Sequence, residues 1–400
     1  MLQRLIEIHD RVVNLKNRSY KRYLYDEINW SLNALCLFGA RGTGKTTLMI
    51  QYYQDHYGSV EKALYVTADH VHVLSHGLAE IADAYFRSGG QALFIDEIHK
   101  YPGWSVELKN ILDVYSDKQI IISGSSTLNL KNNNGDLSRR LVYYELLGLS
   151  FREFLHLEKG VQFPALTLVN LLENHVTLAS EIKKNRSILK DFAEYLSYGY
   201  YPFFLEGKQE YMERLQNVIE KVIFEDIAFS FNLSQPKLPV LKKLLWIIAN
   251  SDPFIPNMER ISKDLGISRE YVYHYITFLE KAGLIINLRR TGQGFNTMRK
   301  PAKIFLQNTG LIQALTETSM EQNKGATREC FFVNQLKTKH AVTILSQGDF
   351  LIDGQIVIEV GGRRKDKTQI EGLKNAWLAL DDIEIGYQNT IPLYLFGMLY

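Results

Sequence analysis

Residues 39–46 have the spacing of a phosphate-binding loop, with glycines at Gly39, Gly42 and Gly44. Glycine permits backbone angles that a side chain hinders, so the loop can direct its N–H groups at an anion. Lys45 would neutralise the β- and γ-phosphates of a nucleotide, and the Thr46 hydroxyl would ligate Mg²⁺. The predicted phosphate-binding set is Gly39, Ala40, Arg41, Gly42, Thr43, Gly44, Lys45, Thr46 and Thr47.

Two carboxylates follow the third apolar run of the chain. Leu93–Ile95 leads directly into Asp96 and Glu97, which are therefore expected at the end of a buried strand. Ligands bind at the carboxyl edge of open parallel sheets. Asp96 is suited to hold Mg²⁺, and Glu97 is placed to orient or deprotonate an attacking water. The alternative, two acids at an ordinary strand end, is disfavoured by the upstream glycine loop.

Hydroxyl groups and arginines follow the fourth apolar run. Ser123 and Ser125 would lie beside the strand that bears Asp96, where they could contact a γ-phosphate, although small residues are also common in turns. Arg139 and Arg140 precede the last apolar run, and either could act as an arginine finger on the nucleotide of a neighbouring copy. A solvated basic pair is the alternative for these arginines.

The elements that must position these residues have the pattern of a parallel α/β sheet. Between residues 31 and 150, short apolar runs alternate with helical patterns. The predicted strands are Leu35–Phe38, Ala63–Val66, Ala92–Ile95, Ile120–Ser123 and Leu141–Leu146. Apolar residues at helical spacing near the N-terminus predict a helix packed on this domain. Arg18, Lys21 and Arg22 are expected to be solvated, with a role next to the nucleotide as the alternative.

Composition and charge exclude several classes of protein. With 46% hydrophobic and 22% charged residues, the chain has the composition of a globular protein with buried cores. A net charge of +2 gives no global polybasic signal, so any nucleic-acid contact must be local. Two cysteines, no apolar stretch of transmembrane length and no signal peptide predict a cytoplasmic protein without a membrane partner.

The second half of the chain contains the pattern of a winged helix. Met258–Leu265, a turn at 266–268 and Arg269–Lys281 predict a helix-turn-helix with Ser268 as the N-cap of its second helix. DNA contact would use this helix together with basic residues that follow it. Those basic residues are Arg289, Arg290, Arg299, Lys300 and Lys303. Protein packing is the alternative, because the helix itself is mixed in charge.

Together these motifs resemble bacterial and archaeal AAA-type ATPases that carry a DUF4143-like C-terminal region. The strongest matches are Gly39–Thr47, Leu93–Glu97, Ile122–Ser126 and Leu149–Phe154, and weaker ones follow in the family's order. The weaker matches are Gly199–Pro202, Lys303–Leu311 and Gly325–Cys330. The resemblance implies an α/β protein: a P-loop NTPase parallel sheet with a helical lid, a winged helix and a C-terminal α/β nuclease-like domain.

The resemblance also implies segment boundaries. They are an N-terminal helical extension (1–30), a P-loop ATPase core (31–155), a helical lid (156–235), a winged helix (236–292) and a degenerate nuclease-like domain (293–400). The family's nuclease-like fold gathers an aspartate and an acid–x–lysine pair around Mg²⁺. Asp349 and Glu359 match the acids, but Gly361 stands at the lysine position and cannot stabilise developing charge. Lys365 belongs to a run, 363–367, that is expected to be a solvated loop. The less favoured alternative is that Arg363 or Lys365 reaches the lysine position from further along.

The sequence therefore favours an ATPase that binds ATP with Mg²⁺, releases ADP and acts as a nucleotide-driven switch on an unidentified protein partner. Catalytic roles are predicted for Lys45, Glu97, Arg139 and Arg140, with Thr46 and Asp96 as metal ligands. An arginine finger acting between copies would require a homo-oligomer. Two alternatives stay open: a DNA-binding regulator with a mainly structural nucleotide, and a metal-dependent nuclease, which Gly361 disfavours.

Overall fold

The chain divides by its internal contacts into two units, Met1–Leu147 and Gly148–Tyr400. The computed structural model describes residues 1–16, 18–124, 137, 139–251, 255–290, 301–316, 323–345 and 349–400. Within these ranges, no helix has both the length and the apolar character that a membrane crossing requires.

The first unit is built on a five-stranded sheet in which all neighbouring strands are parallel. Its strands are β1 (Ala34–Phe38), β2 (Ala63–Thr67), β3 (Ala92–Asp96), β4 (Gln119–Gly124) and β5 (Val142–Glu145). They lie in the order β2-β3-β4-β1-β5. This confirms the five predicted strands and the predicted parallel α/β sheet. Because all strands run the same way, the ends of β1 and β3 meet at one edge with β4 between them.

Helices cover both faces of this sheet. They are α1 (Leu2–Leu15), α2 (Leu24–Glu27), α3 (Lys45–His56), α4 (Val71–His76), α5 (Leu78–Arg87) and α6 (Trp104–Val114), with a 3₁₀ turn at Ile98–Lys100. Successive strand residues point to opposite faces. Accordingly, Cys36 and Phe38 belong to one apolar cluster, whereas Leu35 and Leu37 belong to another. A core on each face explains why β1 is apolar throughout rather than alternating.

The predicted N-terminal helix is confirmed as α1. Its buried residues, Leu5, His9 and Val13, recur every four positions along one face. This spacing places them on a single stripe of the helix, which packs against the sheet's apolar clusters. The helix is therefore part of the first unit rather than a separate appendage.

The second unit contains ten α-helices and seven strands among its described residues. Its helices are α7 (Phe151–Lys159), α8 (Leu168–Ile182), α9 (Ile188–Glu194), α10 (Tyr211–Lys221), α11 (Ala228–Ser230), α12 (Leu238–Ala249), α13 (Met258–Leu265), α14 (Arg269–Lys281), α15 (Thr309–Leu315) and α16 (Lys324–Leu336). Two π-helical segments, Tyr195–Gly199 and Val222–Ile227, continue α9 and α10. Shorter 3₁₀ turns lie at Pro202–Glu206, Gln235–Lys237, Thr368–Ile370 and Leu393–Met398.

The helix-turn-helix elements lie where the sequence predicted them. Helices α13 and α14 are followed by β6 (Ile285–Leu288) and β7 (Lys303–Leu306), which pair antiparallel. The Ser268 hydroxyl accepts a hydrogen bond from the Tyr271 N–H, which confirms the predicted N-cap of α14. The assignment of this region as a winged helix stays a prediction.

The last part of the chain forms a mixed sheet. Its strands are β8 (Val342–Ile344), β9 (Phe350–Ile352), β10 (Ile356–Gly361), β11 (Ala376–Leu380) and β12 (Thr390–Pro392), in the order β12-β11-β10-β9-β8. The pairs β8–β9 and β9–β10 are antiparallel, whereas β10–β11 and β11–β12 are parallel. Glu359 therefore lies on the central strand of the sheet, with its side chain buried.

Candidate functional site

The loop between β1 and α3 has the backbone geometry that its glycines predict. Gly39, Gly42 and Gly44 all have positive φ angles, of 148°, 88° and 98°. A Cβ atom on Gly39 would lie 2.2 Å from the Leu146 carbonyl oxygen, so only glycine fits there. Gly44 is the N-cap of α3, which directs the positive end of the helix dipole at the loop.

Lys45 lies inside this loop and is almost fully buried. Its Nζ donates to the carbonyl oxygens of Gly39, at 3.0 Å, and Ala40, at 2.8 Å. The Thr43 hydroxyl also donates to the Ala40 carbonyl, at 3.0 Å. These bonds hold the ammonium group within the turn of the loop, where a phosphate bound by the loop N–H groups would meet it.

Arg22 braces the back of the same loop, so the expectation that it is solvated is wrong. Its guanidinium donates to the Thr43 carbonyl at 2.7 Å and to the Leu147 carbonyl at 2.8 Å. The side chain is buried, whereas its neighbour Lys21 is exposed and pairs with Asp55. A planar guanidinium can bridge two carbonyls at once, which fixes the loop to the chain that follows β5.

Asp96 ends β3 and accepts hydrogen bonds from four groups of the first unit. On Oδ2, the Thr46 hydroxyl donates at 2.6 Å and the Tyr65 hydroxyl at 2.8 Å. On Oδ1, the Ser123 hydroxyl and the Glu97 N–H donate, the latter at 3.1 Å. Burial, followed by the nearby Asp96 charge, raises the pKa of Tyr65 far above its usual range, so Tyr65 remains a donor.

Glu97 adopts a backbone conformation that is rare for a residue with a side chain. Its φ angle is 54°, in the left-handed region, and such strain clusters at functional sites. Its Oε2 atom is buried without a hydrogen-bond donor among the described residues. Two side-chain nitrogens, His99 Nε2 and Lys100 Nζ, each lie 3.7 Å from this oxygen, and Lys100 is also bonded to Asp69 at 2.9 Å.

The residues at this edge fit a magnesium nucleotide. The Thr46 hydroxyl and the Asp96 carboxylate are hard oxygen ligands held in direct contact. In the described part of the chain, no three histidine, cysteine, aspartate or glutamate side chains are placed to hold a metal together. A cation here would therefore complete its shell with phosphate oxygens and water, as Mg²⁺ does in sites built on a substrate.

Comparison with known proteins assigns the region that contains this geometry. The AAA domain family matches residues 31–155, and a domain of unknown function, DUF8612, matches residues 189–322. Residues 31–155 form an AAA domain. The second match is not DUF4143, so the predicted DUF4143 likeness is not confirmed, and this part of the chain belongs to a domain family without an assigned activity.

The sequence of one relative has a low identity to this chain. An uncharacterised protein of Methanocaldococcus jannaschii is 27% identical over 318 residues, which cover 73% of this chain and 66% of the relative. This chain therefore spans just under two thirds of that relative's length.

Solved structures with partial similarity include AMPPCP-bound DnaA from Aquifex aeolicus, a DNA replication initiation factor, and PCH-2 from C. elegans. DnaA has a TM-score of 0.29 at 16% identity and covers 64% of this chain and 84% of its own. The initiation factor has a TM-score of 0.27 at 15% identity, covering 69% and 88%. PCH-2 has a TM-score of 0.23 at 17% identity, covering 42% and 48%.

The two candidate finger arginines lie away from the glycine loop of their own AAA domain. Both precede β5 and line an open cavity of about 670 Å³ beside Asn33 and Ala34, where β1 begins. Arg140 pairs with Asp113 at 2.8 Å. Because the loop follows the opposite end of β1, these arginines do not reach the nucleotide site of the same chain in this structure.

The two serines that were predicted to contact a γ-phosphate, Ser123 and Ser125, have different outcomes. Ser123 is buried and donates to Asp96, so it fixes the carboxylate rather than facing the loop. Ser125 lies outside the described residues. The predicted loop residues Arg41 and Thr47 are both partly exposed at the edge of the AAA domain.

In the second unit, a lysine side chain pairs with one of the two acids of the predicted nuclease-like site. Lys365 Nζ lies 2.5 Å from Glu359 Oε1, so the expectation that Lys365 belongs to a solvated loop is wrong. A Cβ atom on Gly361 would lie 2.6 Å from the Lys365 Cβ, so the glycine makes room for this side chain. Burial, and then the Asp349 charge, raise the pKa of Glu359, which the Lys365 ammonium partly offsets.

The basic residues predicted to grip DNA have different environments. Arg289 and Arg290 are exposed, and Arg299 and Lys300 lie outside the described residues. Lys303 is nearly buried and forms an ion pair with Glu329, so the expectation that it contacts phosphates is wrong. On α14, Arg269 pairs with Glu259 at 2.9 Å, which neutralises the first basic residue of the predicted recognition helix.

Sequence reasoning missed Tyr65 and Lys100, and it gave Arg22 a place next to the nucleotide only as the less favoured alternative. A tyrosine in an otherwise apolar strand is a weak signal, because its hydroxyl needs a polar partner once the ring is buried. That signal was present in Ala63–Thr67 but could not identify Asp96 as the partner. The position of Arg22 had no sequence signal, since basic residues outside regular elements are usually solvated.

Proposed function

We propose that the AAA domain binds ATP with Mg²⁺ and hydrolyses it. The observation that carries the proposal is the direct contact between the loop and the strand end: Thr46 donates to Asp96, and Glu97 follows. A glycine loop alone would support phosphate binding. The adjoining carboxylates add a metal ligand and a base, which hydrolysis needs.

Each residue of the site has a role in this proposal. The N–H groups of residues 39–47 bind the phosphates, and Lys45 neutralises their charge. Thr46 and Asp96 hold Mg²⁺, which would supply charge stabilisation on the β- and γ-phosphate oxygens. Glu97 receives the proton of the attacking water, and Ser123 keeps Asp96 in place.

Arg139 and Arg140 complete the site of a second copy in this proposal. Their position at the opposite edge of the sheet supports a role between chains, because an arginine can stabilise the γ-phosphate only where it reaches it. The proposal therefore includes a homo-oligomer in the ATP-bound state. Turnover per molecule should rise with protein concentration, and R140A should remove that rise.

The output of the cycle is a switch that acts on an unidentified protein partner. Arg22 ties the Thr43 carbonyl to that of Leu147, the last residue of the first unit. A loop that changes when ATP is exchanged for ADP would move the bonds that Arg22 makes.

The decisive test is E97Q, measured for ATP binding by calorimetry and for phosphate release. ATP binding should be retained, because Glu97 contributes nothing to the phosphate-binding loop. Turnover should fall by about 10²–10⁴-fold, since a positioned base contributes that much to proton transfer. E80Q, which changes an exposed glutamate of the same domain, is the matched control and should behave as wild type. If the D96N/E97Q protein hydrolysed ATP at the wild-type rate, the assignment of these carboxylates would be wrong.

A further inference from the structure

The Tyr65 hydroxyl donates a hydrogen bond to the same Asp96 carboxylate oxygen as the Thr46 hydroxyl. Both hydroxyls donate to Asp96 Oδ2, while Ser123 and the Glu97 N–H donate to Oδ1. A carboxylate offers about four lone-pair sites, so this set of donors fills them. Different groups therefore hold the two oxygens. The Glu97 N–H and the Ser123 hydroxyl fix Oδ1, whereas Tyr65 and Thr46 fix Oδ2.

Tyr65 is itself held in place by its ring and by its backbone N–H. Its ring is buried in the cluster that contains Tyr53 and Phe94. Its backbone N–H donates to His9 Nδ1 of α1 at 2.8 Å. This bond gives an acceptor to an N–H of β2, the edge strand of the sheet. Burial lowers the pKa of His9 to about 4, so at neutral pH the ring is uncharged and can accept this bond.

Thr46 has two tasks in the proposed function, and one hydroxyl can perform both. In this structure its O–H donates to Asp96, and the lone pairs of the same oxygen are the proposed ligand of Mg²⁺. Thr46 therefore joins Asp96 Oδ2 to the metal but does not fix the carboxylate independently of the ion. Tyr65 is the other donor on Oδ2, and it is not a metal ligand in the proposal.

We infer that Tyr65 is a positioning residue for magnesium: its hydroxyl holds Asp96 Oδ2 in the orientation that faces the metal shell beside Thr46. The inference rests on the proposed function, since it assigns a task within that site. Tyr65 does not touch the nucleotide or the metal; it acts through Asp96. Its removal should therefore weaken the effect of Mg²⁺ on nucleotide binding while leaving metal-free binding unchanged.

The test is Y65F, which removes one oxygen and keeps the ring. The dissociation constant of fluorescent mant-ADP is measured in EDTA and in MgCl₂, and the ratio of the two constants reports the contribution of the metal. In Y65F the constant in EDTA should equal that of wild type, whereas the Mg²⁺ enhancement should fall about tenfold, as expected for a lost hydrogen bond to a charged group. An unchanged enhancement would overturn the inference.

Y57F is the matched control. Tyr57 packs against the same cluster, and its hydroxyl donates to Gln119 rather than to Asp96. It should leave both constants unchanged. In the D96N background, Y65F should have no further effect on the Mg²⁺ ratio, because the two residues act as one unit. An additional loss in that background would show that Tyr65 does not act through Asp96.

A second measurement does not require loss of the hydroxyl. A single 3-fluorotyrosine at position 65 should show a shifted fluorine resonance when Mg²⁺ is added to the ADP complex, whereas the same label at position 57 should not. A stationary resonance at position 65 contradicts the inference even if Y65F fails to fold. If wild-type protein binds no mant-ADP, the proposed function itself fails, which distinguishes the two outcomes.

Discussion

Each unit of the molecule buries a carboxylate on an interior strand of its sheet, but the two carboxylates are held differently. Among the residues that the structure describes, Asp96, at the end of β3, accepts only from neutral groups: three hydroxyls and one backbone N–H. Glu359, on β10, is paired with the Lys365 ammonium. Neutral donors orient a carboxylate and leave its negative charge available to a cation. An ammonium cancels that charge within the protein.

In the proposed function, this difference separates a carboxylate that is available to Mg²⁺ from one whose charge is met by a lysine side chain. A cation bound at Glu359 would have to displace Lys365, whose pKa is raised because Glu359, Asp349 and Glu329 outweigh the effect of burial. A cation bound at Asp96 displaces no charge. The comparison favours the first unit as the place of metal-dependent chemistry, and each of the following experiments tests a part of it.

Replacing the acid by its amide should lower ATP turnover when the acid is Asp96 but not when it is Glu359. D96N should lower ATP turnover about a thousandfold or more, because metal-based charge stabilisation contributes several kcal/mol to the transition state. E359Q should leave turnover per folded molecule unchanged. Phosphate release measured on both proteins checks the prediction. Plasmid cleavage that requires Mg²⁺ and disappears in E359Q would instead show that the second unit has its own metal chemistry.

Loss of the internal cation should destabilise the second unit. K365M leaves the buried Glu359 without its partner and should cost about 3 kcal/mol of unfolding free energy, the lower end for a broken buried pair because Lys365 is partly exposed. Urea unfolding measures it. K367M, two residues away and exposed, should cost little. The E359Q/K365M double variant should recover part of the loss; if it were as unstable as K365M, the ion pair would not be the cause.

Acidification should weaken the first unit through His9. Its pKa is lowered to about 4 in the folded chain, against about 6.5 when unfolded, so the unfolded state binds the proton more readily between these values. His9 should therefore withdraw up to about 3 kcal/mol of stability as the pH falls from 6.5 to 4. Urea unfolding across this range checks it. In H9Q the same range should show a flatter dependence; an identical slope would exclude His9.

The smallest expected effect concerns the brace behind the loop. R22K keeps the positive charge but cannot bridge the Thr43 and Leu147 carbonyls, so ATP should bind about tenfold more weakly. Calorimetry checks it, with R18K, at an exposed position, as the control. Equal affinity of R22K and wild type would show that charge alone holds the loop.

The strands and the loop could be predicted because their signals are local. Five apolar runs and three glycines at fixed spacing follow from the requirements of a sheet buried on both faces and of a phosphate-binding turn. The donors around Asp96 could not be predicted as completely. Thr46 was expected near it, but Tyr65 lies 31 residues away on another strand, and only the strand order brings the hydroxyl to the carboxylate.

Lys365 shows the same limit from the other side. A fixed spacing of acid, one residue and lysine led to the conclusion that Gly361 had removed the cation. The tertiary structure moves a lysine from four positions further along into the space that the glycine leaves open. Spacing rules assume that a side chain acts from its own strand position, whereas a long flexible chain can reach the same point from a neighbouring turn.

The sequence by itself determined where a nucleotide would be bound, because glycine conformations, strand ends and adjoining carboxylates are encoded by neighbouring residues. The tertiary structure decided which charges remain available. Asp96 accepts hydrogen bonds from hydroxyls, Glu359 is paired with Lys365, and Arg22 is buried against the loop. Electrostatic character depends on groups that are distant in the chain and close in space, and only the packed fold determines those distances.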